Sequence, residues 1–530
     1  MPLIEFDDRY RRMWMFPRNI RRISPWKIAQ IVSLINELKG ESYWSGNQEL
    51  QNIFCKALES AGLKDEGEQY DPRSGGPRTY FSQLKCLGLI FQREDGRIFT
   101  TQAGEDLISG EPPLPILQSL ILRHQYPSLY GTLSNVGMDP RLRVKPFLFI
   151  LKLLLHPDIR YLTNEELCVP IVYGHNHDCL SLCIDKILKM RKGLSFIDVV
   201  DNPNKDIYTR RIEGNPLAKR VAAARDIANT FKNCLQAVCL IDVEKIDCIE
   251  QCRVNKGFLP LIKNEFENIE NYIPLKTEES FQRNYGSWRS EKDTRSLIEK
   301  PKHTSPEKAI ILGLFYEYAG QTILDSYPEA FTIRMKDDFG FSQKLVDDVI
   351  TPHLSTSLSY FESTYLNLAS GGIKAALDFE KSTSEIFSSR LKFKTKLTGQ
   401  LKRTGKGAFS DIFAIALDDI HCAIIDAKAS SSYSLSSDDY YKMHSNYIPN
   451  YLELSNGKPL LLEFCAYVAG GFNAIEPSLK KLTKDTGIGV SAITAFDLLR
   501  LAQGSINSGN QPALRKVFMS NKILKYNDFQ

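Results

Sequence analysis

The stretch SDIFAIALDDIHCAIIDAKAS, residues 410–430, decides the fold class of the domain that contains it. Two apolar runs, DIFAIAL and HCAIIDAK, flank the pair Asp418–Asp419 and predict two strands joined by a tight turn. Both runs are apolar on both faces, which is typical of strands that are covered on two sides by other elements. The stretch therefore predicts an α/β domain with a mixed central sheet.

Charged residues at the ends of these strands predict a reactive site. If the turn centres on Asp418–Asp419, Asp411 lies directly opposite Asp426, and such cross-strand neighbours have Cβ atoms about 4.5–5.5 Å apart. Lys428 is two residues beyond Asp426 and therefore points to the same face. Two buried carboxylates at this separation repel each other unless a cation lies between them. An ordinary surface hairpin with an ion pair is the alternative interpretation.

Mg²⁺ is the cation that this set of residues predicts, because it prefers oxygen ligands. Asp411, Asp426 and the carbonyl of Ala427 are the expected metal ligands. The bound cation would polarise a phosphate and activate a water. Lys428 would orient that water or offset the charge that grows on the phosphate.

Composition sets the broad class of the protein. The chain has 530 residues, 43% of them hydrophobic and 25% charged, which is typical of several globular domains. No apolar run is long enough to cross a membrane, and Met1–Asp8 carries three acids, so a signal peptide is not expected. The 11 cysteines lack a disulfide-like spacing, which indicates a reducing cytoplasm.

A net charge of only +4 means that any nucleic-acid surface must come from local clusters of basic residues. Residues 9–27 and residues 390–407 each carry seven Arg or Lys side chains and no acid. A solvated surface is the alternative for each run. The residues predicted to contact DNA in these two runs are Arg11, Arg12, Arg18, Arg21, Arg22, Lys402, Arg403 and Lys406.

A winged-helix outline is predicted between residues 80 and 110. A helical pattern ends at Gly88, the pair Asp95–Gly96 indicates a two-residue hairpin turn, and QAGEDLISG follows as a helix. Winged helices of this kind place a helix in the major groove, so Arg73, Arg78 and Lys85 are further candidate DNA contacts. A winged helix that serves only protein contacts is the alternative.

The chain is expected to be multidomain. Helical, winged-helix-containing recognition domains would occupy residues 1–165 and 166–290, followed by a helical linker over 291–365 and a nuclease domain over 366–530. The polar composition of residues 280–308 marks the end of the front half.

The back half resembles a known family. A helix predicted over residues 376–391 carries Glu380, and the order of Glu-bearing helix, basic loop, Asp strand and D-x-K strand resembles the PD-(D/E)xK nuclease fold. FEKSTSEIF, SDIFAIAL, IIDAKASSSYSL and YVAGGFNAIEPSLKKLT resemble the cleavage domain of the FokI type IIS restriction endonucleases, in the same order. The resemblance implies that Asp411, Asp426 and Lys428 are catalytic and that Glu380 supports them. Ser410 stands where the motif usually has proline.

The front half resembles the recognition regions of the AlwI, PleI and MlyI group, through YWSGN (43–47), HQYPSLY (124–130) and VKPFLFILKLL (144–154). Together the two resemblances imply a type IIS restriction endonuclease that hydrolyses double-stranded DNA at a fixed distance from a short asymmetric site. A strand-specific nicking enzyme, or the large subunit of a heterodimeric enzyme, is the alternative within the class. A non-catalytic winged-helix DNA-binding regulator is the alternative from another class.

One nuclease domain has one active centre, so cutting both strands implies a second domain. The resemblance implies either a transient homodimer on DNA or a small nuclease subunit as its source. Tyr441 and Ser445 stand where the family's dimer helix has an Asp/Arg pair, so a dimer formed through that ion pair is not expected.

Overall fold

The computed structural model divides the chain into two compact units. Residues described by the structure are 5, 7, 9–17, 25–38, 44–60, 63, 75–109, 111, 113–133, 136–207, 216–246, 249–289, 292–295, 297, 306–324, 326–399, 401, 409–455, 457–503 and 510–529. Unit 1 comprises Met1–Asp242, Ile249–Glu317 and Tyr327–Ser359. Unit 2 comprises Val243–Cys248, Tyr318–Ser326 and Tyr360–Gln530. The division of the first 365 residues into three segments stays a prediction.

The first 368 residues are mainly helical. The helices in this part of the chain are α1 (Pro25–Glu37), α2 (Gln48–Ser60), α3 (Gly75–Cys86), α4 (Gln102–Ser109), α5 (Pro113–Arg123), α6 (Pro146–Leu155), α7 (Cys168–Tyr173), α8 (Leu180–Arg191), α9 (Pro203–Asp206), α10 (Leu217–Ala237), α11 (Leu259–Glu267), α12 (Glu278–Tyr285), α13 (Pro306–Gln321), α14 (Glu329–Phe339), α15 (Gln343–Ile350) and α16 (Ser357–Leu368). Two small two-stranded sheets accompany them, formed by β1 (Ile90–Gln92) with β2 (Ile98–Thr100) and by β3 (Ile241–Ile246) with β4 (Ile249–Val254).

The predicted order of helix, hairpin and helix between residues 80 and 110 is present as α3, β1–β2 and α4. Gly88 ends α3 with a φ of +72°, a left-handed conformation that glycine adopts without steric cost. The strands pair antiparallel, and Gly96 also has a positive φ of 79°. Gln92 pairs with Ile98, so the loop centres on Asp95 and the predicted two-residue turn at Asp95–Gly96 is wrong by one position. The winged helix and the docking of α3 in a DNA groove stay predictions.

Unit 2 is built on a six-stranded mixed sheet. Its strand order is β10-β9-β8-β7-β6-β5, with β5 to β7 antiparallel and β7 to β10 parallel. The strands are β5 (Lys394–Leu397), β6 (Ile412–Ile415), β7 (His421–Ala427), β8 (Leu461–Ala469), β9 (Gly489–Thr494) and β10 (Ile523–Leu524). The helices are α17 (Ala376–Glu385), α18 (Ser437–Tyr441), α19 (Ile448–Asn450), α20 (Glu476–Thr486), α21 (Ala495–Gln503) and α22 (Gln511–Phe518).

Each face of this sheet carries its own hydrophobic core. Alternate residues of β6 and β7, such as Ile412 and Ile425, pack with Phe379 of α17 on one face. The residues between them, such as Phe413 and Ile424, belong to a second cluster on the other face. Side chains that alternate along a strand point to opposite faces, so the continuous apolar pattern of these strands reflects a sheet that is covered on both sides.

The predicted register of β6 and β7 is confirmed. Ile412 pairs with Ile425 and Ile415 pairs with Cys422, which is the pairing that a turn at Asp418–Asp419 requires. Asp419 has a φ of 56°, and the Asp418 carboxylate accepts hydrogen bonds from the backbone N–H groups of Ile420 and His421. An acidic pair therefore closes the turn, because Asp tolerates a positive φ and bonds to the following backbone.

Among the described residues, no helix combines the length and the apolar character that crossing a bilayer demands.

Candidate active site

Asp411 and Asp426 meet at one end of the β6–β7 hairpin. Asp411 directly precedes β6 and Asp426 is the penultimate residue of β7, so the confirmed register places the two residues opposite each other. Asp426 is only 2% exposed. One Asp411 oxygen, Oδ2, accepts a hydrogen bond of 2.8 Å from the backbone N–H of Ala427. The strand geometry thus fixes two carboxylates side by side in a largely buried position.

The neighbouring carboxylate alters the ionisation of Asp411. Burial raises the pKa of Asp411 well above its usual range, and the charge of Asp426 raises this pKa further. Like charges at this distance oppose each other's ionisation. The pair therefore has a strong tendency to bind either a proton or another cation.

Lys428 provides one of these cations. Its Nζ donates to Asp426 Oδ2 at 2.8 Å, and its backbone N–H donates to the carbonyl of Val468 on β8. Burial lowers the pKa of Lys428, but the charges of Asp426 and Asp411 together outweigh burial, so the net shift is upward. Lys428 is consequently held as an ammonium ion beside the carboxylates.

A further atom of this group lacks a partner in the protein. Asp426 Oδ1 is buried and makes no hydrogen bond. A buried carboxylate oxygen without a partner costs about 1–3 kcal/mol or more. This orphaned oxygen fits a metal ligand, because a bound cation would satisfy it and would also offset the repulsion from Asp411.

Glu380 and Gly399 complete the surroundings. A Cβ atom added at Gly399 would lie 2.9 Å from Asp411 Oδ1 and 3.7 Å from Glu380 Oε2, so both oxygens border the small space that this glycine leaves. Burial raises the pKa of Glu380; Lys428 lowers it and Asp426 raises it. All four residues of the predicted catalytic set are therefore brought together.

The residues present fit a cation such as Mg²⁺ that keeps several other ligands. Over the described ranges, no three or more His, Cys, Asp or Glu side chains form a ready-made metal cage. Mg²⁺ is usually held by one or two carboxylates together with waters and substrate phosphates. The donor set here matches that chemistry. The Ala427 carbonyl as a ligand stays a prediction, since the contact that the structure gives to Asp411 comes from its N–H group.

Several residues near the site were not predicted from the sequence. They are Gly399, Tyr433, Tyr447, Tyr467 and Asp439, and the charge of Asp426 contributes to the raised pKa of each of the three tyrosines. Gly399 has one weak signal in the sequence, its position just after a basic strand. The proximity of the tyrosines to the site could be identified only from the pairing of β7 with β8 and from the packing of the segment that follows Lys428.

The predicted DNA-contact residues fall into three groups. Arg12 is buried in an ion pair with Asp206 and Lys85 is paired with Glu278, at 2.7 Å in each case, so both side chains have structural partners. Arg11 is half-buried and forms an isolated parallel β-bridge with Met138, and Arg78 is exposed on α3. Seven candidates lie outside the described residues, namely Arg18, Arg21, Arg22, Arg73, Lys402, Arg403 and Lys406.

Comparison with known families adds the decisive observation. Residues 340–525 match the family described as FokI, cleavage domain. This segment is similar to that cleavage domain and lies mostly in unit 2. The chain is therefore a restriction endonuclease, a type II deoxyribonuclease. No curated protein sequence matches this endonuclease.

Solved structures similar to the endonuclease were also found. The structure of the restriction endonuclease FokI is 12% identical with a TM-score of 0.27, covering 98% of this chain and 100% of that one. The BpuJ1 endonuclease binding domain, solved in complex with pyrene- and phenanthrene-modified DNA, is 13% identical with a TM-score of 0.36, covering 54% of this chain and 100% of that one. Both scores are too low to support the details of either unit.

Replacing Asp411 by Asn is expected to stabilise the metal-free endonuclease at neutral pH. The folded-state pKa of Asp411 is raised, so its ionisation costs stability as the pH rises above the usual value of 3.8. The variant should melt higher in EDTA at pH 7–8, by about 2–4 °C per kcal/mol of relieved repulsion. Below pH 3.8 the difference should vanish, because the carboxyl is then protonated in both states.

Thermal melts across this pH range test the prediction, and Mg²⁺ provides an internal control. Added Mg²⁺ should raise the melting temperature of the wild type and raise that of Asp411→Asn much less, because ligand binding stabilises only a competent site. A variant that melts lower than wild type at neutral pH, with the same response to Mg²⁺, would contradict the assigned repulsion.

Replacing Gly399 by Ala is expected to impair catalysis with little effect on DNA binding. The added methyl would come within 2.9 Å of Asp411 Oδ1 and 3.2 Å of Asp411 Cα, so this carboxylate must shift. Misplacement of a catalytic group by about 1 Å costs roughly 10²-fold in rate. Single-turnover cleavage should show this loss of rate, while DNA binding in a Ca²⁺ gel shift should be unchanged. Cleavage by the variant at the wild-type rate would show that Gly399 is not part of the site.

Proposed function

We propose that this restriction endonuclease is of type IIS and hydrolyses DNA phosphodiester bonds in a Mg²⁺-dependent reaction, at a fixed distance from a short asymmetric site. The observation that carries the proposal is the cluster of Asp411, Asp426 and Lys428, with an orphaned Asp426 oxygen, inside the segment that matches the cleavage-domain family. Recognition of duplex DNA is assigned to the front half of the chain.

Asp411 and Asp426 would hold Mg²⁺, with the Ala427 carbonyl as a further ligand. When bound, the metal supplies Lewis-acid polarisation of the scissile phosphate and a water of lowered pKa. Glu380 adds negative charge beside Asp411, which favours cation binding. Gly399 leaves the space next to Asp411 Oδ1 open.

Lys428 would act as a cation rather than as a general base. Its net pKa is raised, so it remains protonated at the pH at which DNA is cut. An ammonium at this position stabilises the negative charge that develops on the phosphate oxygens in the transition state. It also orients Asp426 through their 2.8 Å contact until a metal binds.

DNA recognition would combine phosphate contacts with direct reading of base edges. Arg78 is exposed on α3 of the helix–hairpin–helix segment and stays a candidate DNA contact. The basic residues outside the described ranges remain candidates from the sequence. Arg12 and Lys85 are not proposed as contacts because each is held by an acidic side chain. A prokaryotic cytoplasm is the proposed compartment.

Cutting of both strands requires a second cleavage domain, from a transient homodimer on DNA or a small nuclease subunit. Tyr441 lies on α18 and is 62% exposed, and Ser445 contacts His444 at 2.9 Å. Neither residue can form an Asp/Arg ion pair, so a homodimer would use other contacts. A strand-specific nickase is the remaining alternative within this class.

Mapping of the DNA ends by run-off sequencing tests the proposal. After digestion of a plasmid in Mg²⁺, all ends should lie at one distance, on one side, from a shared short sequence. Double-strand cutting by paired domains should rise faster than linearly with enzyme, whereas a nickase should stop at open circles. Specific binding without any cutting would instead support the non-catalytic regulator.

A further inference from the structure

Tyr467 lies beside the catalytic carboxylates without a described role. It belongs to β8, which pairs in parallel with β7, and the register places it next to Asp426. The side chain is fully buried and its hydroxyl has no hydrogen-bond partner in the protein. Asp426 Oδ1 is buried and unpartnered as well. Two neighbouring strand positions therefore each present an unsatisfied polar atom.

Such a pair is unusual in a folded protein. More than about nine in ten buried polar groups have a partner, and most of the exceptions have an unseen water or ion, or a functional role. Residues paired on adjacent strands point to the same face of the sheet. The hydroxyl donor and the carboxylate acceptor thus have complementary hydrogen-bonding needs.

The neighbouring Tyr433 does not supply the missing hydrogen bond. The ring of Tyr433 lies 5.9 Å from that of Tyr467, but the Tyr433 hydroxyl donates to Asp439 Oδ2 at 2.9 Å. Burial raises the pKa of Tyr467 well above its usual value, and the charge of Asp426 is the next cause. Tyr467 therefore remains a protonated donor in the electrostatic field of Asp426.

We propose that Tyr467 is a positioning residue for Asp426: its hydroxyl donates to Oδ1 through one bridging water and holds the carboxylate in the orientation that binds metal. A tyrosine side chain is longer than an aspartate side chain, so its hydroxyl stands farther from the sheet than Oδ1. A single water spans such a gap and serves nearly as well as a direct hydrogen bond.

This inference rests on the proposed metal-dependent function and deepens it. Carboxylates that bind metals are themselves held by hydrogen bonds, and loss of such a partner typically costs about 10–100-fold in metal affinity or activity. Tyr467 would act on the affinity for Mg²⁺ rather than on the chemical step, because it touches neither the DNA nor the reacting water.

Tyr467→Phe in the full-length endonuclease tests the inference. The Mg²⁺ concentration for half-maximal single-turnover cleavage of a plasmid should rise about 10-fold or more, while the rate at saturating Mg²⁺ should stay close to that of the wild type. The melting temperature in EDTA should be equal or higher, because the deleted hydroxyl has no protein partner. Tyr365→Phe is the matched control; its buried hydroxyl contacts Thr383 Oγ1 at 3.0 Å, and its loss should leave the Mg²⁺ dependence unchanged.

A second substitution tests the same hydrogen bond from the other direction. 3-Fluorotyrosine at position 467 is a stronger donor and should lower the Mg²⁺ concentration for half-maximal cleavage. An unchanged Mg²⁺ requirement in both proteins would overturn the role of Tyr467, as would a loss that appears only in the saturated rate. Metal-independent cleavage by the wild type is a separate result, which would remove the proposed function itself.

Discussion

Asp426→Asn is expected to reduce DNA cleavage by roughly 10³-fold or more while leaving specific DNA binding intact. A catalytic metal contributes several kcal/mol of transition-state stabilisation, and each 1.4 kcal/mol corresponds to about a tenfold change in rate. Asn removes the negative charge that Asp426 presents to the cation. It also weakens the interaction between residue 426 and Lys428. Recognition is assigned to the front half, so binding should not depend on this carboxylate.

Single-turnover cleavage of a plasmid in Mg²⁺ and gel shifts in Ca²⁺ measure the two effects separately. Asp378→Asn is a matched control, since Asp378 lies on α17, the helix that carries Glu380, but is 45% exposed and paired with Lys381. This control should cut like wild type. Near-normal cutting by Asp426→Asn would show that the cluster is not the catalytic centre.

Lys428→Met should reduce the cleavage rate at saturating Mg²⁺ by about 10²–10³-fold, the usual cost of removing one group that stabilises transition-state charge. The Mg²⁺ requirement should be unchanged or lower, because Lys428 competes with the metal for Asp426 Oδ2, to which it is bonded at 2.8 Å. The lost rate and the retained metal requirement together distinguish Lys428 from a metal ligand.

A control variant separates the role of Lys428 from a general effect of charge. Lys394→Met is the control, because Lys394 is 60% exposed and paired with Asp419 at the turn. An equal loss of cleavage rate in Lys428→Met and Lys394→Met would indicate a general effect of charge instead.

The hairpin that carries Asp411 and Asp426 could be predicted from sequence because its information is local. A turn at Asp418–Asp419 determines the pairing of every residue in β6 and β7, and the structure has this register. The signal at Asp95–Gly96 located the β1–β2 hairpin but not its register, because Gln92 pairs with Ile98 and the loop centres on Asp95.

Contacts between distant segments could not be predicted in this way. Tyr467 is 41 residues beyond Asp426 and reaches it through the parallel pairing of β7 and β8, whose register no turn encodes. Arg12 was predicted as a DNA contact within a basic run, yet its partner Asp206 is 194 residues away. A charge run in sequence does not show which of its members a distant acid will hold in the fold.

Iron-mediated cleavage of the protein itself tests the central claim most directly. Fe²⁺ that replaces Mg²⁺ generates, with ascorbate and peroxide, short-lived radicals that cut the backbone next to the metal. Wild-type endonuclease should break near Asp411 and Asp426, with suppression by excess Mg²⁺ and loss of these cuts in Asp426→Asn. Cuts at other places only, or cuts near these residues that persist unchanged in Asp426→Asn, would contradict a metal site built on the two carboxylates.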